Sequence, residues 1–93
     1  MLSRSDRKEL SIDSVMELWD DQEGLCALTG IPMTYKRMLG QRITTNASLD
    51  RIEAGGPYIK SNIRLVCAIV NKMRLDMSDQ ELKFWCRSIL NAE

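Results

Sequence analysis

Two oxygen-bearing side chains, Asp50 and Asn71, are the residues of this sequence whose types and spacing could do chemistry. Asp50 lies in a segment, 48–52, whose composition and flanking turn predict a short strand, and Asn71 lies in a later segment with helical spacing. Carboxylate and amide oxygens are hard donors that suit Mg²⁺ or Mn²⁺, and two protein ligands are enough for an ion that also binds water and phosphate. The same residues also fit a structural arrangement, in which Asp50 pairs with Arg51 or Arg64 and Asn71 is exposed on its helix.

Histidine is absent from the 93 residues. This absence removes histidine-dependent nucleophile pairs, zinc sites that need imidazole and the most usual general base. The three cysteines are widely spaced, at Cys26, Cys67 and Cys86. An odd number of thiols in a cytoplasmic setting predicts free cysteines and no disulfide.

The composition indicates one domain, spanning 1–93, in which residues 1–10 are loosely ordered. Hydrophobic residues make up 44% and charged residues 28% of the chain, which argues against a mainly disordered protein. No apolar run approaches the length of a membrane span, and the polar N-terminus does not resemble a secretory signal. We therefore expect a cytoplasmic protein without membrane contact.

The formal charge is balanced, with 13 basic and 13 acidic side chains, so no global field draws the protein to nucleic acid. This balance disfavours a protein that simply coats DNA. Basic residues nevertheless concentrate in the middle of the chain, where they predict a local surface for phosphates. The candidates for substrate binding are Arg42, Lys60, Arg64, Lys72 and Arg74.

The elements that would position the candidate ligands form a core segment, 47–75. After the first strand, the composition predicts a turn at 53–57 and a return strand at 58–59 and 62–65. The period then changes, and apolar residues at helical spacing predict a helix that ends near Leu75.

Two further helices are predicted to flank this core. Residues 14–23 form the first, with Asp13 as its cap, Gly24 at its end and Trp19 in the core. A capping box at 78–81 begins the second. The buried stripe of the second helix is expected to contain Leu82, Trp85, Cys86 and Ile89.

Several motifs follow one another along the chain: Leu18-Trp19, Gly24-Leu-Cys26-Ala-Leu-Thr-Gly-Ile-Pro-Met, Ser-Leu-Asp50-Arg51-Ile, Tyr58-Ile, Asn62-Ile-Arg-Leu-Val and Val70-Asn71-Lys-Met. In this order they resemble the phage-encoded HNH endonucleases and the related recombination endonuclease VII group, over about residues 14–88. The resemblance implies an α+β fold with a small ββα-metal (treble-clef-like) core and flanking N- and C-terminal helices. It also implies a phage-encoded nuclease in the cytoplasm of a bacterial host, which binds one Mg²⁺ or Mn²⁺ and hydrolyses phosphodiester bonds in DNA.

In the pattern of that family, Asp50 and Asn71 are the metal ligands, and Asn62 holds the loop between the strands by hydrogen bonds. Arg51 departs from the pattern, because the family ordinarily carries a histidine general base at this position. An arginine cannot accept a proton from water at neutral pH. Three alternatives stay open: Arg51 holds the scissile phosphate and Glu53 is the base, a metal-bound water replaces the base, or the site is catalytically dead.

A second departure concerns structural zinc, which relatives often bind with two Cys-x-x-Cys pairs. Here the pairs read Cys26-x-x-Thr29 and Cys67-x-x-Val70, and two thiolates do not complete a tetrahedral zinc site. We expect no structural zinc, with Cys26 and Cys67 buried against each other as small apolar groups. Apolar packing would replace the metal, and its expected contributors are Trp19, Val70, Met73 and Trp85.

Two functions are compatible with these residues. The first is a metal-dependent DNA endonuclease, and the second is a catalytically inactive adaptor that kept the fold and binds DNA or a host protein. The neutral charge and the missing histidine favour the second, whereas the joint presence of Asp50, Asn62 and Asn71 favours the first. Members of the endonuclease VII group act as dimers, which leaves a homodimer open here.

Overall fold

The structure, a computed structural model, describes residues 11–37 and 43–92. Within these ranges the chain forms an α+β fold of three α-helices and one two-stranded antiparallel sheet. The predictions for residues 1–10 and for Arg42 fall outside the described residues. The elements are α1 (Ile12–Asp21), β1 (Ala47–Arg51), a short 3₁₀ turn (Lys60–Asn62), β2 (Ile63–Cys67), α2 (Ala68–Arg74) and α3 (Asp79–Asn91).

The hairpin of β1 and β2 lies at the centre of the fold, and α2 follows β2 directly. The register of the hairpin pairs Asp50 with Arg64 and Ala47 with Cys67. The first strand and the helix after the hairpin are confirmed to within about two residues. The prediction of the return strand is wrong at its start, because residues 58–59 lie outside β2 and a 3₁₀ turn precedes it.

Ser11 caps the start of helix α1, and its hydroxyl accepts a hydrogen bond from the Ser14 amide. The prediction of Asp13 as the cap is therefore wrong, and this carboxylate lies in the first turn instead. The helix ends at Asp21, two residues before the predicted end at Glu23, and Gly24 beyond it has a φ of 70°. A Cβ atom at Gly24 would lie 3.0 Å from the Trp19 ring, so glycine is needed there for space as well as for backbone geometry.

The main apolar core lies where α1, β2 and the turn after α1 meet. Its buried members are Cys26, Met33, Leu65, Val66 and Cys67. Trp19 and Val70 pack against it as predicted. Met73 and Trp85 do not contribute in the expected way, because they are 48% and 53% exposed.

Helix α3 begins as its capping box predicts, with the Ser78 hydroxyl accepting from the Glu81 amide at 3.1 Å. Leu82 is the buried residue of the predicted stripe, and Cys86 is half-buried. The predicted burial of Trp85 and Ile89 is wrong, because both are more than half exposed. The first residue of α3, Asp79, contacts Arg64 of β2 and Arg74 of α2, whereas the later turns are mostly exposed. Among the described residues, no helix combines the length and apolar character needed to cross a membrane.

Candidate functional site

The carboxylate of Asp50 is the central buried acid of the hairpin, with 4% exposure. Its Oδ2 accepts a hydrogen bond from Arg64 Nε at 2.9 Å, and its Oδ1 accepts one from Arg74 Nη1 at 2.6 Å. Arg64 lies opposite on β2, whereas Arg74 reaches the carboxylate from the end of α2. The sequence allows the ion pair between Asp50 and Arg64 as one structural alternative. It does not predict the pair between Asp50 and Arg74.

Arg74 is 2% exposed and joins α2 to the end of β1. Besides Asp50, its guanidinium donates to the carbonyl oxygens of Arg51 at 2.6 Å and Ile52 at 2.5 Å. These bonds satisfy backbone acceptors just where the strand stops. A buried guanidinium held in this way supports the fold of the site and leaves little surface for a substrate phosphate.

Asp79, the first residue of α3, completes the charged cluster. It accepts two parallel hydrogen bonds from Arg64, at 2.8 and 2.6 Å, and its Oδ1 lies 3.5 Å from Arg74 Nε. The hydrogen bond from Arg64 lowers the pKa of the Asp79 carboxyl, and the bond to Asp79 raises the pKa of Arg64 despite its burial. We call these four residues, Asp50, Arg64, Arg74 and Asp79, the ion network, and its formal charge is zero.

Asn71 lies one turn into α2, and its amide faces β1. Its Nδ2 donates to Ser48 Oγ at 2.7 Å and to the Leu49 carbonyl at 3.3 Å. Both bonds use Nδ2. In the described part of the chain, no group donates a hydrogen bond to the Asn71 Oδ1 atom. The strand therefore orients the amide and leaves its oxygen available as a ligand.

Asp50, Arg51 and Asn71 line one cleft of about 160 Å³, which we call the Asp50 cleft. The two predicted metal ligands and the residue predicted to hold the phosphate thus border the same space. The other lining residues are Leu49, Ala54, Tyr58, Arg74 and Leu75.

Arg51 has a separate set of contacts from the ion network. Its Nη1 donates to the Gly56 carbonyl at 3.1 Å, and its guanidinium carbon lies 4.5 Å from the centre of the Tyr58 ring. The sequence pattern predicts a strand at Tyr58 and indicates no functional role for this residue. Its proximity to Arg51 depends on the path of the turn, which composition alone does not specify.

Asn62 stabilises the loop between the strands by hydrogen bonds, as expected. Its Oδ1 accepts from the Glu53 amide at 2.9 Å, and its Nδ2 donates to the Pro57 carbonyl at 2.9 Å and the Glu53 carbonyl at 3.3 Å. A Cβ atom at Gly56 would lie 2.8 Å from that Nδ2 atom, so the loop needs glycine at this point. The carbonyl that binds Arg51 is therefore held in place by Asn62 through a close approach of backbone and amide.

Glu53, the candidate base, is exposed and lies outside the Asp50 cleft. It lines a neighbouring cleft of about 290 Å³ together with Asp76 and Ser78, and Arg74 borders both spaces. Glu53 therefore does not line the space that the two predicted metal ligands border.

The predicted phosphate-binding residues do not form one surface. Lys60 is ion-paired with Glu17, and Lys72 is exposed on α2. Arg64 and Arg74 belong to the ion network. Arg51 is consequently the basic residue of the Asp50 cleft that lies outside this network.

Asp50 and Asn71 would be the two protein donors to a divalent cation in this cleft. Among residues 11–37 and 43–92, no group of three carboxylate, thiol or imidazole ligands is present. Each Asp50 oxygen already accepts one hydrogen bond from an arginine, but a carboxylate oxygen has a second acceptor position. A cation at this point would share the carboxylate with Arg64 and Arg74.

Cys26 and Cys67 are both buried, as expected, and the Cys67 amide donates a hydrogen bond to Cys26 Sγ at 3.3 Å. Burial acts to raise the pKa of Cys26, but hydrogen bonds from Thr29 and from backbone amides outweigh it and leave the pKa below its ordinary value. Burial and the adjacent Cys26 thiol raise the pKa of Cys67. A thiol that ionises more readily, Cys26, and one that ionises less readily, Cys67, therefore lie together in the core.

The chain matches none of the protein-family models, curated proteins or solved structures with which it was compared.

Proposed function

We propose that this protein is a divalent-metal-dependent DNA endonuclease with a ββα-metal (treble-clef-like) core. The observation that supports the proposal best is the Asp50 cleft, where a strand-end carboxylate, an arginine and a helix amide border one space. The hydrogen bonds of Asn62 add to this support, because they hold the adjacent loop in the way the resemblance implies. The same proposal places the protein in the cytoplasm of a bacterial host.

Asp50 and Asn71 would hold one Mg²⁺ or Mn²⁺, with the carboxylate and the amide Oδ1 as donors. Such an ion stabilises negative charge on the phosphate and on the leaving oxygen. Arg51 binds the scissile phosphate through guanidinium donors, which match phosphate oxygens well. It supplies charge and orientation and cannot act as the base.

The electrostatics of the cleft favour a metal that binds together with its substrate. The ion network is neutral, and Arg51 adds one positive charge to the cleft wall. A divalent cation is repelled by Arg51 until a phosphate group offsets that charge. We therefore expect Mn²⁺ to bind more tightly in the presence of DNA than in its absence.

A second candidate is a protein that binds DNA without cleaving it. The observation that favours it is the engagement of both Asp50 oxygens by arginines, together with the position of Glu53 outside the cleft. An arginine-saturated carboxylate is a weaker metal ligand, and Arg51 then remains as a phosphate contact alone.

Nicking of supercoiled plasmid with Mg²⁺ or Mn²⁺, and with EDTA as a blank, tests the proposal. Asn71→Ala is the informative variant, since it removes the amide oxygen and leaves the ion network intact. We expect its nicking rate to fall at least about 100-fold, in line with the several kcal/mol that a metal supplies. Asn91→Ala, at the exposed end of α3, is the matched control and should nick like the wild-type protein.

Metal-dependent nicking that is equal in the wild-type and Asn71→Ala proteins would reject the assigned site. An absence of nicking by the wild-type protein with either metal would reject the endonuclease. If the same protein binds a duplex in fluorescence anisotropy, the second candidate replaces the first. Asp50→Ala is unsuited to this purpose, because it also leaves two buried arginines without their acid.

A further inference from the structure

We infer that Tyr58 positions Arg51 for binding of a phosphate oxyanion, and that this aromatic clamp makes an arginine usable at a site where the resemblance expects histidine. The inference rests on the proposed function only for the chemical class of the ligand, a phosphate group. Tyr58 is a positioning residue in this arrangement, since it acts through Arg51.

The contacts of Arg51 leave one edge of its guanidinium unused. The Gly56 carbonyl accepts from Nη1, and the Tyr58 ring covers one face of the group. Among the residues that the structure describes, the Nε and Nη2 donors have no acceptor. These two donors form the side-on fork that binds two oxygens of a carboxylate or phosphate.

The clamp reduces the entropic cost of using a long side chain. A free arginine samples many rotamers, and ordering them on binding costs conformational entropy. Here the Tyr58 ring and the Gly56 carbonyl already select one orientation, because cation–π attraction and a hydrogen bond act on the same planar group. The carbonyl is itself fixed by Asn62, which binds the backbone on both sides of it. The loop thus preorganises Arg51 before any ligand arrives.

Arg51 and Tyr58 also both line the Asp50 cleft, so an oxyanion on Arg51 would lie beside Asp50 and Asn71. Arg74 borders the same space, but its Nη donors are taken by Asp50 and two backbone carbonyls. Within the lining of this cleft, Arg51 is therefore the guanidinium that can bind an incoming anion. The ion network next to it carries no net charge, so it adds no net repulsion of that anion.

The test follows the Arg51 Nε–H signal by ¹⁵N NMR while inorganic phosphate is added to metal-free protein. We expect a saturable shift in the wild-type protein and in Tyr58→Phe, which keeps the ring. In Tyr58→Leu the apparent phosphate affinity should fall about 3- to 10-fold, the range that corresponds to one cation–π contact. Tyr35→Leu removes an exposed tyrosine outside the cleft and should match the wild-type protein.

A second arm measures binding of a fluorescein-labelled duplex in EDTA for Arg51→Gln, Tyr58→Leu and the double variant. If Tyr58 acts through Arg51, the double variant should bind within about twofold of Arg51→Gln alone. An additive loss would mean that Tyr58 contacts DNA itself, which overturns the inference. No phosphate-induced shift at Arg51, or equal phosphate affinity of Tyr58→Leu and wild type, overturns it as well.

These measurements separate the two proposals. Neither arm uses metal or cleavage, so a protein that shows the clamp and never nicks plasmid would lose the endonuclease and keep the phosphate site. A protein that nicks plasmid with an unaffected Tyr58→Leu variant would keep the endonuclease and lose the clamp.

Discussion

The two ends of the β1–β2 hairpin are held by different kinds of interaction. At the Ala47–Cys67 end, buried side chains such as Met33 and Val66 belong to one apolar core, which also contains the Cys26 and Cys67 thiols. At the Arg51–Ile63 end, Asp50 is surrounded by arginines that also bind backbone carbonyls. The first end gains stability from apolar burial, which tolerates small shifts. The second depends on direction and on charge balance, so it holds residues of the cleft in one geometry.

We expect the largest loss of stability for Asp50→Ala, at the Arg51–Ile63 end of the hairpin. This variant leaves Arg64 and Arg74 buried or nearly so without their shared acid, and we expect the free energy of unfolding to fall by about 3–5 kcal/mol. Urea denaturation followed by circular dichroism measures it. Glu17→Gln, which breaks the exposed ion pair with Lys60, should cost less than about 1 kcal/mol. Similar losses in the two variants would contradict the importance assigned to the ion network.

We expect a smaller loss of stability for Met33→Ala, at the Ala47–Cys67 end of the hairpin. Removing this buried side chain should lower the free energy of unfolding by about 2–4 kcal/mol, the usual cost of a cavity in a core. The distinguishing measurement is affinity for a DNA duplex under conditions where both proteins are folded. Met33→Ala should bind within about twofold of wild type, because it does not line the Asp50 cleft. A large loss of affinity in the folded variant would show that the two ends are coupled.

The smallest effect concerns the link between the ion network and α3, for Asp79→Asn. Because Arg64 lowers the pKa of Asp79 below its ordinary value of 3.8, the ionised carboxylate favours folding above that pH. That contribution should be lost as the pH falls below about 4, through the lower pKa of the folded state. At pH 7 we expect Asp79→Asn to cost about 1–2 kcal/mol, and the difference from wild type should vanish in acid.

Glu81→Gln is the matched control for this titration, because it removes a carboxylate from the same first turn of α3. Urea denaturation of the three proteins at several pH values gives the comparison. A cost for Asp79→Asn that stays constant from pH 7 to pH 3 would mean that the bond to Arg64 adds nothing through its charge.

Local patterns in the sequence were sufficient for most of the elements. Turn composition and helical spacing located β1 and α2 to within about two residues, and Ser78 caps α3 as predicted. The failures occur where burial depends on neighbours distant in sequence. Trp85 and Ile89 have the spacing of a buried stripe, yet the fold offers no surface beneath them in the described residues.

In the candidate site, too, local patterns predict some features, and contacts between residues distant in sequence decide the others. The hydrogen bonds of Asn62 and the common cleft of Asp50 and Asn71 agree with expectations from the sequence. The contacts of Arg74 and Tyr58 could not be obtained that way. Each depends on where a helix or turn leaves the hairpin, and no local pattern carries that information.

The amino-acid sequence therefore established which chemical groups exist and how they are spaced: one carboxylate near a strand end, an arginine after it, an amide on the following helix and no histidine. Those properties are local, since they follow from side-chain identity and backbone periodicity. Only the tertiary structure determined that Arg74 neutralises Asp50 and that Tyr58 orients Arg51. Partners of a charge are chosen by distance in the folded chain, and that distance is set by strand register and helix direction together.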